Sequence, residues 1–520
     1  MKFYNIIIKY RFWLSLLAIV AAIGVNISSG FWPSFILYFI GVIGLASHFF
    51  IGPLRLIQEP MEAGNMEEVA MMGLSIVCWS RQNIWVKILA GYGAVVCFAG
   101  IVLTGSRGGY LSIGFGLVVF FVLSFLIMRK TIRERMWMAV VGSLLVAGVV
   151  FAGTALLISK QHTLKSRAEK VFTKQDGRFD LWKAAVEQAK LKPVFGTGAG
   201  SYQYYARLFR PPQTQADPVY AHNDYLQLLA EYGVVGLLAG LAFLFCHWWW
   251  GWKVTKQIIA EHSNTQRRLQ SDTLALNLGA LSSVAIYAAH SLVDFNLHIP
   301  ANAMLMAFVF AILANHGGTT PPMAKALDRT SPYLKLSLPA IAVWIMAVAL
   351  PTLPAEYFSE KSRMAYKEER FSESIAMAER GLASDQTNPF LWRYLGQSQF
   401  SLAEGMTNSP PAQALFAAAV ESFRNGLKHY PQEQWLLLGL ATSLDGLGRF
   451  AEAKPVYQEA VRWNPTSGSV HLYYANHLRL AGELSEAEAA YKKSLEFSWS
   501  FTVYHILEDV QKAKAASGQP

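Results

Sequence analysis

The segment HNDYLQLLAEYGVVG, residues 222–236, places an imidazole, an amide and two carboxylates at the start of an apolar run. A positioned histidine is the side chain that most often accepts a proton from a reacting hydroxyl at neutral pH. We therefore predict that His222 is a general base and that Asp224 or Asn223 orients its ring. Glu231 is the rival base, and a purely structural histidine is the alternative.

Two arginines elsewhere in the chain have the chemistry to hold an anion. Arg107 lies in TGSRGGY, where the glycines allow a ligand to approach the backbone, and Arg178 lies in GRFDLWK. A guanidinium binds phosphate or carboxylate through two parallel hydrogen bonds. The simpler interpretations are that Arg107 anchors the end of a membrane helix and that Arg178 is an ordinary surface residue.

Two further patterns adjoin these residues. PVFGTGAGSY, residues 193–202, is rich in glycine but lacks the Lys-Ser/Thr pair of a nucleotide-binding loop, so a tight turn before a helix is favoured. In HSLVDFNLHIPAN, residues 290–302, His290, Asp294 and His298 recur every four positions. A metal site would fit that spacing, but capping or supporting roles are favoured because no second ligand cluster accompanies it. The predicted supporting residues are Asn223, Tyr225, Gln227 and Asp294, and neither a metal nor another cofactor is expected.

The elements that must position these residues are membrane helices. Of the 520 residues, 53% are hydrophobic and 15% are charged, whereas soluble domains average about 25% charged. Windows of about 20 residues, the length that crosses a bilayer, find nine apolar runs, near residues 12–28, 31–51, 85–103, 110–128, 137–158, 232–252, 274–292, 299–315 and 334–351. The predicted fold class is therefore all-α, a polytopic transmembrane bundle of about nine spans.

The distribution of charge predicts how the chain is threaded. Basic loops at residues 129–135, 253–268 and 325–335 fall on the same side as the basic N-terminus when the nine runs are threaded in order. The positive-inside rule assigns that side to the cytoplasm. The loop at 159–231 is also basic, but long loops cross regardless of charge, so we expect it on the periplasmic face of a bacterial inner membrane.

Other features narrow the interpretation. No clear cleavage site follows the basic residues at the N-terminus, so a retained signal anchor is expected. Residues 53–84 contain an apolar patch too short to span, which favours an interfacial helix. The net charge of +10 comes without basic runs interleaved with aromatics, so nucleic acid is not an expected partner. The three cysteines have no metal-ligand spacing.

After Pro354 the apolar runs stop and a period of 34 residues begins. Residues of the same type recur at that spacing in three pairs: Gly448 and Gly482, Ala453 and Ala487, and Tyr457 and Tyr491. This is the tetratricopeptide period, in which glycines end the first helix of each pair and alanines allow helices to approach. We predict a transmembrane domain over residues 1–354 and a periplasmic α-solenoid of about four repeats over residues 355–520. Its expected role is to bind a protein partner, with a spacer or stability cap as the alternative.

Taken together, five segments between about residues 85 and 315 resemble, in order and spacing, the O-antigen ligase and polymerase superfamily of bacterial envelope glycosyltransferases. They are TGSRGGY, GRFDLWKAA, PVFGTGAGSY, HNDYLQLLAEYGVVG and SLVDFNLHIPANA. Members of this superfamily transfer a glycan from an undecaprenyl diphosphate carrier to an acceptor on the periplasmic face, without nucleotide or metal. The repeat extension resembles that of a subset of the family.

The resemblance implies a role for each matched residue. Arg107 and Arg178 match the two arginines that hold the diphosphate, and His222 matches the histidine that activates the acceptor. Two guanidiniums would stabilise the diphosphate as it leaves the anomeric carbon and its charge develops. The proton of the attacking sugar hydroxyl would pass to His222.

The acceptor separates the activities open to such a chain. Lipid A core defines a ligase, which we favour, another repeat unit defines a polysaccharide polymerase, and a protein Ser or Thr defines an O-oligosaccharyltransferase. A non-catalytic scaffold for envelope assembly is the alternative from another class. A transporter is disfavoured because no ionisable residue lies deep within the nine runs. The expected partners are the lipid-linked glycan, its acceptor, membrane lipids and a protein on the repeats.

Overall fold

The computed structural model describes residues 64–131 except 105, 177–262 except 216 and 218, 270–314, 346–517 except 407 and 408, and a few isolated positions. Over these residues the protein has 17 α-helices and no strand, which confirms the all-α class. The chain forms two compact units, one of residues 1–63 with 103–106 and one of Gly64–Val102 with Arg107–Pro520. Of the first, only Leu103, Thr104 and Ser106 are described, at and just beyond the end of a helix.

Eight of the described helices precede the repeats. They are α1 Gly64–Trp79, α2 Ile84–Thr104, α3 Arg107–Thr131, α4 Arg178–Leu191, α5 Tyr202–Tyr205, α6 Asp224–His262, α7 Asp272–His290 and α8 Pro300–Ala314. Short 3-10 turns at Ala206–Phe209 and Asn296–His298 lie between them.

Four of these helices, α2, α3, α6 and α7, are long and apolar enough to cross a membrane. They coincide with the runs predicted near 85–103, 110–128, 232–252 and 274–292, and the shorter α8 falls on the run near 299–315. α7 is mostly buried between its neighbours, whereas α2 exposes large apolar side chains such as Trp85, Leu89 and Val95. Such an exposed apolar surface fits a lipid environment.

The remaining membrane predictions fall outside the described residues. These are the retained signal anchor, the runs near 12–28, 31–51 and 137–158, and most of the run near 334–351.

α1 corrects the expectation of an interfacial helix within residues 53–84. It packs along α7, where the Ser75 hydroxyl donates to the Ala275 carbonyl at 2.6 Å. Its first turns bury Glu67 and Glu68 almost completely. Acidic residues are seldom buried without partners. The two glutamates in the sequence therefore favoured a helix exposed to water at the membrane interface. Ionisable groups therefore do lie deep in the helical bundle, on α1, which is not one of the nine predicted apolar runs.

The C-terminal part is a stack of helix pairs. Its helices are α9 Leu353–Lys367, α10 Phe371–Leu382, α11 Pro389–Glu404, α12 Pro410–His429, α13 Gln434–Gly446, α14 Phe450–Trp463, α15 Gly468–Leu480, α16 Leu484–Phe497 and α17 Phe501–Ser517. Gly448 and Gly482 follow α13 and α15 with φ of 69° and 79°, a left-handed conformation that glycine adopts without strain. The paired alanines and tyrosines of the 34-residue period are fully buried, as that period requires.

The polar segment before α6 touches the repeats directly. Tyr204 packs on Tyr430 and Tyr205 packs on Trp463, with ring centroids 5.6 Å apart in each pair. Gln215 bonds to the backbone of both Thr466 and Gly468. We call this contact, between residues 202–217 and residues 430–468, the seam. The described part of the basic loop, from residue 177 onward, is thus a folded element in contact with the repeat stack.

Candidate active site

A break in α6 shapes the site. The helix begins at Asp224 and is interrupted at Gly233, where φ is 67° and ψ is −167°. The interruption lets the Val234 amide donate to the Pro193 carbonyl at 2.9 Å. A Cβ on Gly233 would lie 2.3 Å from the Val194 carbonyl oxygen, so only glycine allows this approach. The glycine-rich segment 193–202 is therefore a turn packed on a broken helix, in agreement with the turn interpretation.

Glu231 holds the other side of that turn. Its carboxylate accepts hydrogen bonds from the Gly200 amide at 3.0 Å and from the Tyr202 amide at 3.2 Å. Gln227 donates to the same carboxylate at 3.2 Å. Glu231 is only 3% exposed, and three donors are already directed at its oxygens. This geometry favours a positioning role over that of the rival base.

His222 lies two residues before α6 and has a strained backbone. Its φ of 49° is in the left-handed region, which costs a residue other than glycine on the order of 1–3 kcal/mol and is concentrated at functional sites. Its carbonyl accepts a hydrogen bond from Trp182 Nε1 at 3.1 Å. The side chain is about one-third exposed, so a reacting group can reach the imidazole.

Asp294 brings the predicted base and a predicted anion-holding arginine together. Its Oδ1 lies 3.1 Å from His222 Nδ1, and its Oδ2 lies 3.7 Å from Arg178 Nη2. Burial opposes ionisation of Asp294, but the hydrogen bond with His222 and the charges of Arg178, His222 and His290 outweigh it. The pKa of this carboxyl is consequently below its usual value. With Nδ1 facing Asp294, the Nε2 atom of His222 remains to accept a proton.

The expectation that Asp224 or Asn223 orients His222 is wrong. Asp224 instead lies 3.2 Å from His298 Nδ1 and accepts a hydrogen bond from the Ser291 hydroxyl at 2.9 Å. The Asn223 side chain donates to the Leu292 carbonyl at 2.8 Å. Both residues fasten the start of α6 to the turn after α7, which is the turn that carries Asp294.

Tyr225 and Gln227 also support this junction. The Tyr225 hydroxyl donates to the Ala288 carbonyl at 2.9 Å, near the end of α7. Gln227 accepts from the Ala221 amide at 3.0 Å, and its Nε2 lies 3.1 Å from His298 Nε2. Both ring nitrogens of His298 therefore face protein side chains.

Arg107 is the first residue of α3, which begins beside the same turn. A Cβ on the next residue, Gly108, would lie 2.9 Å from Val293 Cγ2 and 3.2 Å from His290 Nε2. The start of α3 is thus in close contact with the segment that holds Asp294. The backbone of Arg107 is brought to the edge of the site formed by Arg178 and His222.

The spacing of His290, Asp294 and His298 does not produce a common cluster. His290 and Asp294 approach each other, whereas His298 points to Asp224. Within the described ranges, no group of three His, Cys, Asp or Glu side chains is arranged to hold a metal ion.

Sequence reasoning missed one buried contact of this site. Glu67 Oε1 lies 3.2 Å from His290 Nδ1, although the two residues are far apart in the chain. The available signal was an acidic pair ahead of a short apolar patch. That pattern alone indicates an interfacial helix, because it does not identify α7 as the helix on which α1 packs.

Two family models match parts of this chain. The family model described as O-antigen ligase matches residues 92–241, which include Arg107, Arg178, His222 and Glu231. A tetratricopeptide repeat model matches residues 438–500. The resemblance to an O-antigen ligase with a C-terminal repeat domain is thereby confirmed. Its apolar helices and this match point to a membrane protein, and the matched family implies ligase-like glycan transfer in the membrane.

Other comparisons add little. No curated protein gives a significant match. Among solved structures, the MamA RS-1 ArsTM double mutant is 15% identical with a TM-score of 0.27, covering 31% of this chain and 85% of its own. The yeast Tom70 crystal structure is 11% identical with a TM-score of 0.23, covering 97% of each chain.

Proposed function

We propose that the protein transfers a glycan from an undecaprenyl-diphosphate carrier to an acceptor hydroxyl, as an O-antigen ligase does. The observation that carries this proposal is that one carboxylate, Asp294, contacts both His222 and Arg178. A proton acceptor and an anion-binding guanidinium are thus held side by side at the end of the membrane helices.

The donor side of the reaction calls for cations. The bond from the anomeric carbon to the diphosphate breaks, and negative charge grows on the leaving oxygen. Arg178 and Arg107 would bind that diphosphate, because guanidiniums form paired hydrogen bonds with phosphate oxygens. Stabilising a charge that develops in the transition state lowers the barrier directly.

The acceptor side calls for a base. As the acceptor oxygen bonds to the anomeric carbon, its proton passes to His222 Nε2, and the ionised Asp294 stabilises the imidazolium that results. Glu231 stays with the glycine-rich turn, while Asn223, Asp224, Tyr225 and Gln227 hold the junction in place. No step in this scheme uses a metal ion or a nucleotide.

The proposed placement follows from the same chemistry. Residues 1–354 form the transmembrane domain of a bacterial inner membrane, with the loop 159–231 on the periplasmic face. Residues 355–520 form a periplasmic repeat domain that binds a protein partner or the acceptor. The preferred acceptor is lipid A core.

The test is reconstitution of the full chain in liposomes with an undecaprenyl-diphosphate-linked glycan, in the presence of EDTA. Three acceptors are offered separately: lipid A core, a second carrier-linked glycan and a Ser/Thr peptide. We expect transfer to lipid A core, and loss of at least about 100-fold in rate for His222→Ala and Arg178→Ala.

Two matched variants control for folding. His247→Ala removes a histidine within α6, and Lys183→Ala removes an exposed cation of α4. Both should retain activity. Transfer to another acceptor would replace the ligase assignment with polymerase or protein transferase. Absence of transfer to all three, or transfer only after divalent metal is added, would overturn the proposed reaction or its metal-free mechanism.

A further inference from the structure

A second carboxylate and imidazole lie behind Asp294, away from solvent. Glu67 is 0% exposed and His290 is 2% exposed. Glu67 Oε1 and His290 Nδ1 are 3.2 Å apart, and His290 Nε2 lies 3.9 Å from Asp294 Oδ2. The four groups therefore form a row, Glu67, His290, Asp294 and His222, that runs from the buried interior to the accessible imidazole.

Three helices converge to enclose this row. The Ser112 hydroxyl of α3 donates to Glu67 Oε2 at 2.7 Å, whereas Glu67 Oε1 and His290 Nδ1 are in close approach without the alignment of a hydrogen bond. Gly108 of α3 leaves room for the His290 ring, since a Cβ there would lie 3.2 Å from two ring atoms. The turn after α7 supplies Asp294. Burying ionisable groups is costly unless they are paired, and each step of the row places a carboxylate within 4 Å of an imidazole.

We propose that Glu67 and His290 are positioning residues for the proposed glycan transfer. Glu67 keeps the His290 imidazole in its charged form, and that cation fixes the Asp294 carboxylate so that its other oxygen faces His222. The inference rests on the proposed function, because it assigns these residues to the base of that reaction.

The charged groups that face His290 determine the expected effect of removing Glu67 or His290. His290 faces Glu67 of α1, Asp294 of the following turn and, through Asp294, Arg178 of α4. Glu68 lies one residue further along α1, and Arg107 precedes the glycine packed on the ring.

A cation 3.9 Å from Asp294 offsets part of the carboxylate charge felt by His222. Without that cation, the full charge of Asp294 acts on His222 and favours its protonated form, which cannot accept a proton. The acid limb of the pH–rate profile should then move to higher pH.

Two variants test this. Glu67→Gln keeps the shape of the side chain and can still accept from Ser112, and His290→Gln removes the ring. In the reconstituted assay, we expect each to move the acid limb of kcat/KM upward. At pH values below the wild-type midpoint of that limb, kcat/KM should fall on the order of threefold to tenfold. At alkaline pH its plateau should be nearly unchanged. The double variant should show the same shift as either single variant, because the pair acts as one unit.

Ser75→Ala is the matched control, since it removes another buried hydrogen bond between α1 and α7 without a change in charge. Its acid limb should stay in place. If Glu67→Gln does not fold, His290→Gln carries the same expectation. A limb that is unmoved or moves downward in a folded, active variant would overturn the positioning role while leaving the proposed function intact. An inactive wild type would instead count against the proposed function.

Discussion

At the scale of single residues, Asp294 connects the two halves of the proposed reaction. Its distance to Arg178, 3.7 Å, is that of an ion pair and is longer than a hydrogen bond. Its distance to His222, 3.1 Å, is within bonding range. Donor binding and acceptor activation therefore depend on one side chain.

We expect Asp294→Asn to lower kcat by roughly 100-fold or more, because the amide cannot stabilise the imidazolium formed on His222. Asp224→Asn is the matched control, since Asp224 contacts His298 and Ser291, whereas Nδ1 of His222 faces Asp294. Steady-state kinetics with saturating donor will compare the two. An Asp224→Asn defect equal to that of Asp294→Asn would contradict this assignment.

A comparison of wild type with Asp294→Asn also gives a pH test. The depressed pKa of Asp294 means that its ionised form stabilises the folded state above the ordinary aspartate pKa, about 3.9. That contribution is lost as the pH falls through the lower, folded value. The difference in melting temperature between wild type and Asp294→Asn should not shrink from pH 8 to 5, where neighbouring imidazoles gain charge, and should shrink below about pH 4. A difference that already fades near pH 6 would disagree.

The residues of this site were partly accessible from sequence. His222, Arg178 and Asp294 stand in recognisable segments, and the structure brings these three together. The partner of His222 was misassigned because the nearest acid in the chain, Asp224, is not the nearest in space. The left-handed backbone at His222, which residue types alone do not indicate, accompanies a ring that faces the turn after α7.

At the scale of elements, the break in α6 holds the glycine-rich turn against the site. A substitution of Gly233 by alanine forces a side chain into the left-handed region and into the Val194 carbonyl. The conformation alone costs about 1–3 kcal/mol, and the collision adds to it. We expect Gly233→Ala to lower the melting temperature of the purified protein sharply.

Gly114→Ala in α3 is the control, because a Cβ there meets no atom within 4 Å. It should be neutral or slightly stabilising, since alanine favours a helix over glycine. Equal melting temperatures for the two variants would show that the fold does not depend on the break in α6 for its stability.

α1 shows what an element-level reading of sequence cannot supply. Its apolar patch and its acids were visible, but whether they face lipid headgroups or another helix depends on α7, about 200 positions later in the chain. The repeats were easier to predict because each unit packs on its neighbour, so the period itself determines the contacts.

At the scale of the whole molecule, the seam links the repeat stack to the segment that leads into α6. Arg207 is 6% exposed and lies 3.6 Å from Asp217 and 3.8 Å from Glu433. Burial raises the pKa of Glu433 despite the opposing charge of Arg207. Deleting the repeats would uncover these groups, so a loss of activity on deletion would not by itself establish a scaffold function.

We therefore expect Arg207→Met to loosen the seam, because breaking a buried ion pair leaves its partner uncompensated at a cost of up to about 3–5 kcal/mol. Hydrogen exchange in residues 202–217 should rise, and glycan transfer should fall. Arg424→Met, in an exposed pair with Glu421, is the control and should change stability by less than about 1 kcal/mol. Unchanged hydrogen exchange in Arg207→Met would show that the aromatic and backbone contacts are sufficient to hold the seam together.

The length of α6 determines the depth at which chemistry takes place. Between Val234, just after the break, and Trp252 the helix rises about 27 Å. Trp248 and Trp252 stack near its far end, and Lys253 and Lys256 lie over neighbouring tryptophan rings. Tryptophans and lysines of this kind sit at membrane interfaces, and the hydrocarbon core of a bilayer is about 30 Å thick. If the tryptophans lie at one interface, the break at Gly233 lies near the opposite one, so inserting one helical turn between them would move His222 away from the lipid-borne diphosphate of the proposed reaction.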